Sequence, residues 1–155
     1  IPEISFDTFA SVDNATAGAT NVGKTSDSSA SNGYANVFTT TTTASTIFKA
    51  TFPDMKFGKY ALTVRVKVSS NSSSSNIMSF LVNNGSTNIL NKGIVGNTFN
   101  STTQYCYIAT TFTYDGSTSS AKQPLSFELK SGTVSGVKIS FDYAYITLIT
   151  PAIYV

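Results

Sequence analysis

The chain has no histidine and no tryptophan, a single cysteine, four prolines and only 18 charged residues in 155. Each shortage excludes something. Without His, the commonest general base and the commonest transition-metal ligand are both missing. With Cys106 alone, no disulfide can form within the chain; it lies between Tyr105 and Tyr107 in a strand-like run, where a small buried hydrophobe is expected. The remaining acids are Glu3, Asp7, Asp13, Asp27, Asp54, Asp115, Glu128 and Asp142, and no two stand at a spacing that marks an acid/base dyad. A net charge of +2 from ten scattered Lys and Arg excludes a nucleic-acid footprint. No apolar run approaches the roughly 20 residues that cross a bilayer. Ala, Leu, Glu and Lys are too scarce for long helices.

What the chain does have is 23 Ser, 23 Thr and 12 Asn, set between short apolar runs. Thr suits solvent-facing strand positions, while Ser and Asn favour turns. The clearest run is Gly58–Ser70, where Tyr60, Leu62, Val64, Val66 and Val68 alternate with Ala61, Thr63, Arg65, Lys67 and Ser69. Side chains alternate across a strand, so this is a strand with one buried face. Further strands are expected at Ile4–Phe9, Gly33–Phe38, Thr46–Phe52, Ile77–Val82, Ile89–Val95, Tyr105–Tyr114, Leu125–Leu129 and Val137–Ile149. In the last of these, simple alternation places Val137, Ile139, Phe141, Tyr143 and Tyr145 on one side and Ala144, Ile146 and Leu148 on the other. Ala10–Asn32 reads as one long loop, and Asn71–Asn76, Asn83–Gly85 and Gly116–Ala121 as turns or loops. About nine strands in 155 residues imply a single all-β domain, an antiparallel β-sandwich of jelly-roll type. The opening Ile1-Pro2-Glu3 reads as the start of a domain cut from the C-terminus of a longer chain. Tyr143–Val155 is apolar on both sides, which calls for a covering loop or another subunit. Four glycosylation-type triplets, at Asn14, Asn71, Asn84 and Asn100, are what chance supplies in so Asn/Ser/Thr-rich a chain.

Two stretches carry candidate chemistry. Gly18-Ala-Thr-Asn-Val-Gly23-Lys24-Thr25 satisfies the phosphate-loop formula, in which glycines let backbone N–H groups curl around phosphate, Lys neutralises it and a hydroxyl holds Mg²⁺. Its flanks read as neither the strand nor the helix that normally frames such a loop. The order Glu3, then Ser31-Asn32-Gly33-Tyr34-Ala35, Gly58–Arg65, Thr103-Gln104-Tyr105 and Ile139-Ser-Phe-Asp142-Tyr143 resembles carbohydrate-binding modules of families 6 and 35 over most of the chain. That resemblance implies Tyr34 and Tyr105 as sugar-stacking rings, Asn32 as a hydroxyl partner, and Glu3 and Asp142 as calcium ligands.

Joined to the Ser/Thr/Asn content and the apolar tail, the same features resemble the C-terminal jelly-roll modules of phage tail spikes and fibres, including the autochaperones of pre-neck appendage spikes of small Bacillus podophages. This second resemblance implies a virion-associated or host-cytoplasmic homotrimer that assists assembly. It also implies ATP–Mg²⁺ contacts at Gly18, Gly23, Lys24 and Thr25, with at most slow hydrolysis linked to assembly or release. The first implies an extracellular module that binds a surface glycan. Both readings are non-catalytic in the main, and the expectation is of the assembly module with glycan binding as its alternative.

Overall fold

The computed structural model describes residues 6–115 and 124–152. The expected strand at Ile4 and Ser5, the turn at 116–121 and the end of the apolar tail at 153–155 lie outside these. Among the described residues eleven strands run in chain order: β1 (Phe9–Asp13), β2 (Thr20–Asn21), β3 (Lys24–Ser26), β4 (Tyr34–Thr39), β5 (Thr46–Thr51), β6 (Gly58–Val68), β7 (Asn76–Asn83), β8 (Asn88–Val95), β9 (Cys106–Tyr114), β10 (Ser126–Ser131) and β11 (Lys138–Pro151). A single 3₁₀ turn, Gly96–Thr98, is the only helical segment among the described residues. The strands form two antiparallel sheets, one ordered β3-β4-β11-β6-β9 with β1 also on β11, the other β2-β5-β10-β7-β8. This is the expected jelly-roll sandwich.

The core lies between the sheets. Tyr60, Leu62, Val64 and Val66 of β6 are fully buried, as their alternation requires. They meet Ile47, Phe48, Phe80, Val82, Phe127 and Leu129 from the smaller sheet. Phe48 stacks on Phe141 with ring centroids 4.4 Å apart and tilts against Phe127 at 6.3 Å, tying the two sheets at the centre. Asn83-Asn84-Gly85 forms the expected turn between β7 and β8: Gly85 takes φ +96°, and Asn84 Oδ1 accepts from the backbone N–H groups of Ser86 and Thr87.

Three sequence expectations change. The first strand falls at Phe9–Asp13, because Ala10 and Val12 find burial only against β11, an antiparallel pairing more than a hundred residues away in sequence. The long loop of residues 10–32 therefore holds β1 and two short edge strands. Cys106 is half-exposed, its thiol 3.7 Å from both Asn100 Oδ1 and the Gln104 carbonyl.

The third change reshapes the surface. The pairing of β11 with β6 slips between Phe141 and Tyr143, so one extra residue, Asp142, is inserted. Before the bulge Ile139 and Phe141 point into the core; after it Ala144 and Ile146 do, all with 0% exposure. Tyr143 and Tyr145 consequently turn outward, on the opposite side from Phe141. The same point marks a change of neighbour: β4 pairs with Lys138–Phe141, and β1 takes over the same edge of β11 from Tyr143 to Thr147.

Candidate functional site

Asp142 is fully buried, and a buried carboxylate must be hydrogen-bonded and paired to persist. The loop 27–33 supplies the hydrogen bonds and Arg65 of β6 the opposite charge. The Ser31 backbone N–H lies 3.0 Å from both carboxylate oxygens, the Ser31 hydroxyl donates to Oδ1 at 2.9 Å, and the Arg65 guanidinium donates to Oδ2. Arg65 also donates to the Ser29 carbonyl at 3.0 Å. Burial works against the arginine's charge, but the hydrogen bond and charge of Asp142 more than offset it, so Arg65 is held above its ordinary pKa. The bulge, the loop and the junction between β1 and β4 are thus locked by one ion pair.

The guanidinium also sits between rings. Its carbon is 4.4 Å from the Tyr105 ring centroid and 5.8 Å from that of Tyr107. Tyr105 in turn donates its hydroxyl to Asp27 Oδ2 at 2.7 Å, bridging the β9 edge to the loop across the sheet face. Burial first, then this bond, raises the Tyr105 phenol; the same bond is the main reason that Asp27 lies below its usual range.

Turned outward by the bulge, Tyr143 and Tyr145 join Phe9 of β1 and Tyr107 of β9 in a row across the larger sheet. Successive centroids are 5.7 Å (Phe9–Tyr145), 6.1 Å (Tyr145–Tyr143) and 6.4 Å (Tyr143–Tyr107) apart. The end rings are the most open, Phe9 at 56% and Tyr107 at 59% exposure. The Tyr143 hydroxyl donates to that of Tyr107 at 3.2 Å, and burial together with this bond pushes Tyr143 up to about 12. A depression of about 340 Å³ lined by Phe9, Ser11, Asp13, Ser31, Tyr143 and Tyr145 lies at one end of the row. Another of about 350 Å³ opens beside Tyr107 and is bordered by Asn100, Ser101, Gln104 and Tyr105. Flat rings flanked by short hydroxyl, amide and carboxylate groups make a surface that can hold a ligand with both apolar and hydrogen-bonding faces.

The residues anticipated from sequence are distributed differently. Tyr105 stands beside the row, but its hydroxyl and one flank are already engaged by Asp27, Arg65 and Lys67. Tyr34 is 43% exposed, yet it shares its side of β4 with Asn36 and Phe38, which pair with Phe141 and Ile139. It therefore emerges at the rim, with the Lys24 ammonium 4.8 Å over its ring. Asn32 holds the loop together, donating to Asn14 Oδ1 at 2.8 Å and accepting from the Tyr34 N–H at 3.1 Å. Sequence alternation alone leaves Tyr107 as cross-strand packing, and it does not mark Phe9, Tyr143 and Tyr145, whose outward faces are defined only by the β1–β11 pairing and the bulge.

The Gly18–Thr25 stretch leads into an edge strand. Gly23, at φ +62°, accepts from the Val37 N–H at 3.1 Å, and a Cβ there would meet the Val37 carbonyl oxygen at 2.2 Å. Its glycine is explained by that close approach. The Thr25 hydroxyl bonds back to the Gly23 carbonyl at 2.7 Å, and Lys24–Ser26 pairs with β4, so no helix N-terminus faces the loop. For the expected calcium site, Glu3 lies outside the described residues. Asp142 is surrounded by N–H and O–H donors and a guanidinium, whereas calcium takes six to eight oxygen ligands. The described residues do not fit that ion, and none of them form a group of three or more His, Cys, Asp or Glu.

The fold and this face together define a jelly-roll β-sandwich with an aromatic surface on its larger sheet. By structure the chain is similar to a xylan-binding module, CBM15, at 15% identity over 93% of this chain and 98% of that one, with a TM-score of 0.58. It is also similar to the C-terminal CBM6 of LamC, a marine laminarinase from Zobellia galactanivorans, at 15% identity over 90% and 98%, TM-score 0.52. The Stig cyclase Fisc from Fischerella sp. TAU is similar too, at 15% identity over 96% and 89%, TM-score 0.59. No protein-family model and no curated protein sequence matches the chain. Likeness at this identity shows the shared sandwich, which serves binding modules and a cyclase alike.

Proposed function

We propose that the chain is a non-catalytic carbohydrate-binding module whose aromatic row receives an extended glycan. The observation that carries this reading is the line Phe9–Tyr145–Tyr143–Tyr107, whose open rings offer flat apolar faces beside hydroxyl and amide groups. A sugar ring presents C–H faces to stack on such rings and hydroxyls to bond their surroundings, so the two surfaces are complementary. The carbohydrate-binding modules among the structural neighbours favour the same reading. An extracellular setting, where polysaccharides are met, follows from it.

Calorimetry with a panel of soluble oligosaccharides tests the proposal. Native protein binds at least one of them. Tyr107→Ala weakens that binding about tenfold or more, the equivalent of roughly 1.4 kcal/mol, within reach of one lost aromatic stack. Tyr34→Ala leaves it within twofold, because that ring stands off the row. Failure of every oligosaccharide to bind contradicts the proposal.

A second reading, a homotrimeric assembly module of a phage spike with nucleotide at Gly18, Gly23, Lys24 and Thr25, is favoured by one observation. Ile149, near the end of β11, is 52% exposed and continues the apolar tail. Light scattering at high concentration and Mg–ATP calorimetry with Lys24→Ala separate the two. A monomer with no nucleotide heat excludes assembly; a trimer whose ATP binding is abolished by Lys24→Ala supports it.

A further inference from the structure

We infer that the outer face of the larger sheet also carries a pocket for one anionic group, a carboxylate or sulfate ester borne by a glycan. The pocket has a volume of about 160 Å³ and is lined by Lys67, Val68, Ser69, Thr102, Lys138 and Ser140. Liquid water occupies roughly 30 Å³ per molecule, so this space suits a substituent and not a whole chain of sugars.

Its lining follows from register. Lys67 of β6 pairs with Ser140 of β11, one step from the inward pair Val68–Ile139, so Lys67 and Ser140 share the outer side. Lys138, at the start of β11, lies two residues before Ser140 and therefore on the same side. Both lysines thus flank one serine. Ser140 is only 4% exposed, lines the pocket, and has no hydrogen-bond partner for its hydroxyl among the described residues. Its hydroxyl opens onto the pocket and is free to donate to a group held there. The Ser69 hydroxyl accepts from the Lys138 N–H at 2.8 Å, which leaves its own proton to donate.

The charges are also unbalanced. Lys138 has no carboxylate within ion-pair distance among the described residues. Lys67 has only Asp27, 3.7 Å away, whose carboxylate already accepts from Tyr105 and from the Ser29 N–H. Two ammonium donors and two hydroxyl donors face a space too small for a large ligand, and carboxylate or sulfate oxygens, which only accept, complement them.

The pocket lies just beyond the Tyr105–Asp27 bridge from the aromatic row. Arg65, behind Tyr107, and Lys67 are two positions apart along β6, a distance of about 7 Å. An acidic substituent on a sugar near Tyr107 can span that. The glycan part of this inference rests on the function proposed above; the anion pocket does not.

Amide NMR on the native domain, titrated with sodium sulfate or sodium glucuronate at constant ionic strength, tests the pocket directly. Saturable shifts gathered at Ser69, Thr102, Lys138 and Ser140 are expected, with affinity about fivefold weaker in Lys138→Ala, the scale of one exposed charge contact. Response to sulfate alone assigns sulfate esters, and response to glucuronate alone assigns uronates. Calorimetry with a neutral oligosaccharide and its uronate- or sulfate-bearing counterpart then tests the link. The acidic form binds about fivefold tighter, and Lys138→Ala removes the advantage without changing neutral binding. No saturable shift with either anion overturns the pocket. Anion binding without any acidic preference in the oligosaccharide pair overturns its part in glycan recognition. Anion shifts with neither oligosaccharide bound uphold the pocket and overturn the glycan-binding function instead.

Discussion

Asp142 and Arg65 show how a single pair of side chains can set a surface. Neither charge is free to leave its partner: the carboxylate has no solvent contact, and the arginine side chain retains only 20% exposure. Removing one member strands the other, which typically costs 3–5 kcal/mol in a buried pair. Because Arg65 keeps some access to water, Asp142→Asn is expected near the low end, about 3 kcal/mol by chemical denaturation. Loss of the clamp also frees the loop 27–33, so on the proposed function glycan affinity in Asp142→Asn falls even under conditions where the domain remains folded. A second expectation concerns the tyrosines. Tyr143 and the core residue Tyr60, whose burial is its main perturbation, are both pushed up to about 12 from an ordinary value of 10. Each holds its proton more firmly folded than unfolded. The stability they contribute is intact below pH about 10 and is lost as pH rises from there through 12. Thermal melts between pH 8 and 12 should therefore be level up to about 10 and decline above it. In Tyr143→Phe the decline is shallower, and absorbance titration reports one fewer late-ionising phenol.

At the scale of elements, most strands were legible because one face of each is apolar and the other is Thr, Ser or Lys. The run Gly58–Ser70 reads correctly from alternation alone, and β6 spans Gly58–Val68 with its odd positions outward. What alternation cannot carry is a bulge. A period of two, followed through Val137–Ile149, sends Tyr143 to the core with Phe141; the inserted Asp142 reverses the positions that follow it as far as Leu148, where the pairing with β6 slips again. The signal was present in part, since an Asp within an apolar strand is out of place, but its partners Ser31 and Arg65 are 111 and 77 residues away. β1 escapes alternation for a similar reason. Phe9–Asp13 contains Ser and Asp on its outer side, and its burial exists only once β11 is beside it. The candidate site is correspondingly less legible than the fold: Tyr105 stands beside it, while three of the row's four rings, Phe9, Tyr143 and Tyr145, depend on those two non-local events. The core offers a contrast. Phe141 stacks on Phe48 and faces Phe127 with no surface role, so Phe141→Ala should destabilise the domain by about 3–5 kcal/mol, read as a lowered denaturant midpoint.

As a whole the molecule is a sandwich in which the two sheets have unlike outer faces. The outer face of the larger sheet gathers Phe9, Tyr107, Tyr143 and Tyr145 with Arg65 and Lys67. On the smaller sheet the groove beside β7 and β10 is bordered by Asn76, Ser79, Asn91, Lys130 and Ser131, without an aromatic ring. The proposed glycan surface therefore lies on one face, and it depends on the bulge that turns two tyrosines onto it. Aromatic-resolved NMR during titration with a bound oligosaccharide is the most direct measurement. The ring signals of Phe9, Tyr107, Tyr143 and Tyr145 should shift together and saturate with one affinity, while those of Tyr34 stay unmoved. Saturable shifts confined to Tyr34 or to the smaller sheet, with the four rings unmoved, would contradict it.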